Sequence, residues 1–176
     1  VAPDLTYIGV MLPYTPFHYM LFDNNRENIY IMTSANIADE PIIYKDNDAF
    51  ERLHTIVDYF VTYNREIIAH TDDSVMYVVD EHPFFVRRSR GYVPAPLFIK
   101  KTPLHILATG GDLKNSFALA RNNFVIMSQY LGDLSTPWGN DLYRKTIAHF
   151  SKIFDFKPAL VVSDLHPGYF TTLFAH

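Results

Sequence analysis

Apolar runs of five or six residues alternate with short polar segments along the first ninety positions, which predicts a mixed α/β fold. The predicted strands cover residues 7–12, 28–33 and 58–63, and the predicted helices cover residues 16–22 and 48–57. Asp48 and Glu51 have the spacing of a capping box in the second helix. Residues 74–79 and 84–88 then predict an antiparallel hairpin that turns around residues 80–83.

The pattern changes after residue 92, where closely spaced prolines predict an extended linker. Three short strands joined by tight turns are predicted next, then a helix, a strand and the start of a last helix. They cover residues 104–109, 116–120, 124–128, 139–154 and 160–162, with the last helix starting near Pro167. Ribonuclease-H-like and actin-type ATPase halves begin with this order of elements, although other α/β chains also begin with a meander.

Composition excludes several classes of site. The net charge is −4, so the chain has no overall positive field that would attract nucleic acid. It contains no cysteine, which excludes a disulfide framework, a thiolate nucleophile and a cysteine-based zinc site within it. The eight histidines form no metal-binding pattern, so we expect no metal site of this chain's own. No apolar run reaches spanning length and no signal peptide is evident, so we expect a cytoplasmic protein.

Thr33, Ser34 and Asn36 directly follow the apolar run that predicts the second strand. In open α/β sheets, ligands bind beyond the carboxyl ends of strands, and small side chains let a phosphate or acyl group approach the backbone. The other interpretation is an ordinary turn, because Ser and Asn favour turns for local reasons. Both interpretations remain open on these residues alone.

An arginine cluster lies at the far end of the predicted hairpin. Arg87, Arg88 and Arg90 stand within four positions, opposite Ser74 and two aspartates that precede it. Guanidinium groups match phosphate oxygens in a bidentate manner, which predicts an anion site. Alternatively, these arginines pair with the aspartates across the strands on a solvated surface.

Gly110, Gly111, Lys114 and Asn115 lie in a glycine-rich turn between two predicted strands. Backbone N–H groups can converge on a phosphate where no Cβ intrudes, so the turn is a candidate phosphate loop. The spacing is not that of a Walker A loop, and a plain hairpin turn is the alternative.

Asp164 and His166 follow the last predicted strand. Asp164 could hold Mg²⁺ or orient water, and His166 could act as a base. An N-cap aspartate beside an incidental histidine is the alternative interpretation.

Ten short sequences occur along the chain in a specific order. They are Val1–Pro3, Gly9–Pro16, Met32–Asn36, Glu40–Ile42, Asp72–Val75, Arg87–Pro94, Leu113–Asn115, Ser128–Gln129, Gly132–Leu134 and Asp164–Pro167. The series resembles the hydrogenase-maturation carbamoyltransferase family, HypF, over essentially the whole chain. This resemblance implies a partial YrdC-like twisted α/β sheet domain over residues 1–92. A linker over 93–103 and the opening half of an actin/ribonuclease-H-like domain over 104–176 would follow.

The resemblance also implies a function. In that family, ATP and carbamoyl phosphate form carbamoyl-adenylate, and the carbamoyl group passes to the C-terminal cysteine of a partner, HypE, to make cyanide ligands for [NiFe]-hydrogenase. The adenylate would contact Thr33, Ser34, Asn36, Ser74, Arg88 and Arg90. A second phosphate site would use Gly110, Gly111, Lys114 and Asn115, and Asp164 and His166 would be catalytic. Mg²⁺ would accompany ATP, while zinc and the transferase metal are expected outside this chain.

We expect the chain to be part of a longer enzyme, because it starts without Met at Val1 and stops just after an apolar run. We also expect it to be inactive by itself, because the resemblance implies that other required parts of the family's enzyme lie outside it. Two other functions remain open. The first is synthesis of threonylcarbamoyl-adenylate for tRNA modification, which the actin-like segment disfavours. The second is a non-catalytic module that binds double-stranded RNA, which the net charge of −4 disfavours.

Overall fold

The computed structural model describes residues 4–23, 29–38 and 40–176, and the chain divides into two compact units, Val1–Ser34 and Ala35–His176. Nine elements follow in chain order within these described residues. They are α1 (Pro16–Asp23), α2 (Asp46–Leu53), β1 (Val75–Val79), β2 (His82–Arg87), β3 (Leu97–Ala108), β4 (Ala118–Met127), α3 (Pro137–Ile153), β5 (Leu160–Val162) and α4 (Phe170–Ala175). The mixed α/β class expected from the sequence is confirmed.

Helix α1 belongs to the first unit and lies in the position that the sequence predicts. Tyr30 donates its hydroxyl to the Leu21 carbonyl over 2.9 Å, and this contact fastens the end of the helix. The predicted strands over 7–12 and 28–33 are wrong for their described residues, which form no ladder with any described strand; Asn28 lies outside the described residues. Strands need a hydrogen-bonded neighbour, and among the described residues none pairs with these segments.

The second unit opens with α2, which begins two residues earlier and ends four residues earlier than predicted. The predicted capping box is wrong, because Lys45 is the N-cap and no side chain of the described residues caps it. The strand predicted over 58–63 is also wrong. Its apolar side chains remain exposed at Tyr59 and Val61, which again lack a neighbouring strand among the described residues.

Strands β1 and β2 form the predicted antiparallel hairpin. Its two-residue turn has positive φ at both central positions, 48° at Asp80 and 64° at Glu81. This backbone matches the right-handed twist of the strands that it joins. The hairpin places Val75 opposite Arg87, so Ser74 and Arg88 lie at the same end of it.

A three-stranded sheet with the strand order β4-β3-β5 lies in the C-terminal part of the second unit. Strand β3 pairs with β4 in the antiparallel sense and with β5 in the parallel sense. The sequence predicts three short strands here, but the structure has two long ones. Strand β3 already begins at Leu97, within the predicted linker. Strand β4 continues through Asn122, which has φ 56°. The ladder is irregular on either side of the Thr102–Asn122 pair, so the predicted break marks a distortion and not an end.

The core lies between this sheet and α3. Phe117 and Tyr143 are fully buried, and Phe117 meets Tyr143 and Phe150 edge to face, with ring centroids 6.0 and 5.3 Å apart. The helix begins with Thr136, whose Oγ1 accepts the Gly139 N–H over 3.1 Å. The predicted helix is therefore confirmed, with a start two residues earlier. The last helix, α4, begins three residues after its predicted start.

Candidate functional site

The turn around Asn36 is closed by its own backbone. The Ile43 N–H donates to the Ala35 carbonyl over 2.8 Å, and the Asn36 Nδ2 donates to the Ile37 carbonyl over 2.9 Å. The geometry is that of a turn, as one interpretation of this sequence predicted. Thr33 and Ser34 are exposed and belong to the first unit, so a pocket shared with Asn36 stays a prediction.

Ser74 fastens the end of the hairpin to the chain that follows β2. Its Oγ donates to the Arg90 carbonyl over 2.8 Å and accepts the Ser89 N–H over 2.8 Å. The Arg90 N–H donates to the Asp72 carbonyl over 3.1 Å. Ser74 therefore holds the Arg88–Arg90 backbone in place. Three residues that the sequence analysis selected, Ser74, Arg88 and Arg90, thus lie together.

The three arginines have different partners. Arg90 contacts the Asp73 carboxylate at 3.1 Å, and Arg87 lies 3.9 Å from the Asp72 carboxylate, as the cross-strand alternative predicted. Arg88 instead donates through Nη2 to the Ala95 carbonyl over 3.1 Å. Its Nη1 is buried and has no hydrogen-bond partner among the described residues. A buried, unpaired guanidinium donor is costly unless something accepts from it, so Arg88 is the strongest candidate for an anion ligand.

Asp72 and His70 lie in a desolvated environment beside the hairpin. Burial raises the pKa of Asp72, and the nearby Arg87 guanidinium opposes that shift. Burial lowers the pKa of His70, and the Asp72 carboxylate opposes that shift. The His70 ring stacks on Tyr44 with centroids 5.3 Å apart. This part of the protein therefore has a low effective dielectric, in which charge interactions are strong.

Asn115 holds the Gly110–Asn115 turn, which we call the glycine loop, from the inside. Its Nδ2 donates to the Thr109 carbonyl over 3.1 Å and to the Gly111 carbonyl over 2.6 Å. The side chain is 1% exposed. Gly110 has φ +73°, and a Cβ there would lie 2.4 Å from the Ser116 carbonyl oxygen. The glycine is required on both counts.

Lys114 is an exposed cationic residue of the glycine loop. Its φ is 50°, and its N–H donates to Asp133 Oδ1 over 2.7 Å. The amino group is therefore carried on a fixed backbone. This role of Asp133 could not be predicted from the sequence, because the two positions are nineteen residues apart.

Asp112 joins the glycine loop to the segment that contains Asp164 and His166. Its carboxylate accepts the N–H groups of Phe170 and Thr171 over 2.8 and 3.1 Å. The sequence analysis missed this role of Asp112, although acceptors of this kind commonly satisfy the first N–H groups of a helix. Two separately predicted sites are thus neighbours in the structure.

His166 has a defined orientation. Its Nδ1 accepts the Gly168 N–H over 3.2 Å, and its ring stacks on Tyr169 with centroids 4.2 Å apart. In the neutral ring the proton is therefore on Nε2. The His166 N–H donates to Asp164 Oδ1 over 3.1 Å. These contacts orient the ring, and the catalytic role expected of His166 stays a prediction.

Among residues 4–23, 29–38 and 40–176, no group of three or more histidine, aspartate and glutamate side chains could hold a metal ion. Within the same residues, no helix is long and apolar enough to cross a membrane.

Two family models match the chain in succession. The Sua5/YciO/YrdC model, described as telomere recombination, matches residues 1–89, and the model described as the HypF Kae1-like domain matches residues 101–176. We call these matched parts the YrdC-like segment and the Kae1-like segment. Their order agrees with the predicted domain order, and the exact domain boundaries stay a prediction.

Curated relatives carry the name carbamoyltransferase HypF. The protein from Synechocystis is 41% identical over 176 residues, which cover 99% of this chain and 23% of the relative. The protein from Rhizobium leguminosarum is 39% identical, with 96% and 23% covered. The chain thus spans about a quarter of the length of these relatives.

Solved structures agree. HypF from T. kodakarensis matches with a TM-score of 0.90 and 43% identity, covering 96% of this chain and 22% of that one. A full-length HypF crystallised in a phosphate- and nucleotide-bound form matches with a TM-score of 0.92 and 37% identity, covering 99% of this chain and 28% of that one. The chain belongs to the HypF carbamoyltransferase family.

Proposed function

We propose that this chain is part of an enzyme that transfers a carbamoyl group from carbamoyl phosphate to the C-terminal cysteine of HypE in hydrogenase maturation. Water first releases phosphate from carbamoyl phosphate and leaves carbamate. A carbamate oxygen displaces pyrophosphate from ATP to form carbamoyl-adenylate, and the cysteine thiol then displaces AMP. The succession of a YrdC-like and a Kae1-like segment in one chain carries the proposal. A HypF structure that binds phosphate and nucleotide supports the use of ATP.

Carbamoyl-adenylate would form on the YrdC-like segment. Arg88 has a buried Nη1 with no partner among the described residues, and an adenylate or pyrophosphate oxygen would accept from it. Arg90 would add a second positive charge, and Ser74 would hold the backbone between them. Thr33, Ser34 and Asn36 would contact the acyl group. These residues would act by positioning the reactants and neutralising charge.

Carbamoyl transfer would use the Kae1-like segment. The backbone of Gly110 and Gly111 and the amino group of Lys114 would bind phosphate oxygens. Asn115 supports the loop from its buried position, so its contribution to phosphate binding would be indirect. His166 would donate a hydrogen bond from Nε2.

Mg²⁺ would bind with the nucleotide. The ion is commonly held by one or two carboxylates together with substrate phosphates, so a single exposed aspartate suffices. Asp164 is exposed at the carboxyl end of β5, and its position fits that role. Phosphate oxygens and water would complete the coordination.

Exchange between ATP and pyrophosphate in the full-length parent protein tests the adenylation site. Exchange should require carbamoyl phosphate and should be insensitive to threonine, which excludes the threonylcarbamoyl-adenylate reaction. Arg88→Ala should lower the exchange rate by about a hundredfold, whereas Arg65→Ala, at an exposed position of the same segment, should not. Wild-type exchange in Arg88→Ala would contradict the assignment.

Lys114→Ala tests the second site. It should weaken transfer of the carbamoyl group to HypE while ATP–pyrophosphate exchange persists. Lys157→Ala is the matched control, since Lys157 is also an exposed lysine of the Kae1-like segment. Equal loss of both activities in Lys114→Ala would indicate a structural role.

A further inference from the structure

Residues 129–138, which we call the bridging segment, contact the YrdC-like segment at both ends. Near its start, the Arg87 guanidinium lies over the Tyr130 ring, 4.5 Å from the centroid. At its end, the Arg52 guanidinium lies over the Trp138 ring at 5.0 Å. The Gln129 amide also donates to the buried His70 carbonyl over 3.4 Å. Two cation–π contacts and one hydrogen bond therefore fasten the bridging segment.

The middle of the bridging segment holds the glycine loop. The Asn115 N–H donates to the Gly132 carbonyl over 2.8 Å, and the Leu134 N–H donates to the Asp112 carbonyl over 2.9 Å. Lys114 is held in the same way through Asp133. Three consecutive residues of the bridging segment thus hold Asp112, Lys114 and Asn115 of the candidate phosphate loop.

The start of the bridging segment also reaches the arginine cluster. Arg87, which contacts Tyr130, directly precedes Arg88 in the chain and lies 3.9 Å from the Asp72 carboxylate. The Asp72 carbonyl in turn accepts the Arg90 N–H. One short segment therefore contacts the support of both candidate sites.

We propose that the bridging segment sets the position of the glycine loop relative to the arginine cluster, with Tyr130 and Trp138 as positioning residues. The proposal rests on the proposed function, since it assumes that the glycine loop binds phosphate. The two rings do not touch the nucleotide. They anchor the backbone that holds Lys114, and the loop adopts its binding geometry only while both anchors are engaged.

The test compares variants that keep an aromatic ring beneath the arginine with variants that keep only an apolar side chain. Tyr130→Leu removes the ring from beneath Arg87, whereas Tyr130→Phe keeps an aromatic face and serves as the conservative variant. Trp138→Leu and Trp138→Phe form the corresponding pair at the other anchor. All four are made in the full-length parent protein.

Hydrogen exchange followed by mass spectrometry reads the loop directly. In both Leu variants, amides of the glycine loop should exchange about 2- to 30-fold faster, while those at the centre of β3 stay at the wild-type rate. The same variants should slow carbamoyl transfer to HypE while ATP–pyrophosphate exchange persists. Both Phe variants should restore loop protection and the transfer rate.

Three results would overturn the proposal. They are wild-type hydrogen exchange of the loop amides in the Leu variants, faster hydrogen exchange throughout β3, and equal hydrogen-exchange rates in the Leu and Phe variants. Hydrogen exchange can be measured whether or not the protein transfers a carbamoyl group. A parent protein that transfers no carbamoyl group would therefore refute the proposed function alone, and the bridging role would still be decided by the protection pattern.

Discussion

Replacing Gly110 by alanine should destabilise the Kae1-like segment far more than the same change one residue later. At φ +73°, alanine costs about 1–2 kcal/mol in backbone strain. Its Cβ would also lie 2.4 Å from the Ser116 carbonyl oxygen and 2.9 Å from Asn115 Nδ2, so one of them must move. Losing one or both Asn115 hydrogen bonds adds about 1–2 kcal/mol. The sum is about 2–4 kcal/mol.

Gly111→Ala is the matched control. No heavy atom lies within 4 Å of a Cβ at Gly111, and its φ lies outside the left-handed region. Alanine there should change the free energy of unfolding by less than about 1 kcal/mol and can stabilise the protein by restricting the unfolded chain.

Urea denaturation followed by tryptophan fluorescence compares the two variants. Trp138 is the single tryptophan of the chain and lies in the first turn of α3, so its emission reports on the Kae1-like segment. Gly110→Ala should unfold at clearly lower urea concentration than Gly111→Ala with a similar slope. Equal midpoints would refute the assigned loop geometry.

Two further predictions concern buried titratable side chains. Tyr143→Phe should cost about 1 kcal/mol in urea denaturation, because the Thr109 carbonyl keeps its Asn115 bond when the 3.0 Å Tyr143 bond is lost. Burial raises the pKa of Tyr143, so absorbance titration should show this phenol ionising only on unfolding, and early ionisation would contradict its burial. Burial lowers the pKa of His70 below 6.5, so the folded protein binds fewer protons and its stability should fall as the pH drops below about 7. His70→Gln should flatten this dependence, and identical slopes in both proteins would contradict the prediction.

The sequence predicts best the elements that depend on local signals. Helix α1, the β1–β2 hairpin, α3 and β5 agree closely with the predicted ranges, because periodicity and turn residues define them. The alternation of apolar and polar residues shows which side chains favour burial, but it does not show which segment will pair with a strand. The strands predicted over 7–12 and 58–63 are therefore wrong.

The roles of polar residues were harder to predict for the same reason. The sequence marks Ser74 and Asn115 as hydrogen-bonding residues close to arginine or glycine. It does not show that Ser74 bonds to the Arg90 carbonyl, or that Asn115 is buried and bonds inward. Long-range partners such as Asp133 depend on the folded chain.

Different residues of the glycine loop support its structure and face solvent, where a ligand could bind. Asn115 bonds to the loop's own backbone, and Asp112 holds the start of α4, so neither side chain is available to a ligand without releasing those partners. Lys114 alone combines an exposed side chain with a backbone fixed by hydrogen bonding. A phosphate would therefore bind to a loop that is already ordered and carries a positive charge. The conformational entropy of the loop is lost on folding and not on binding.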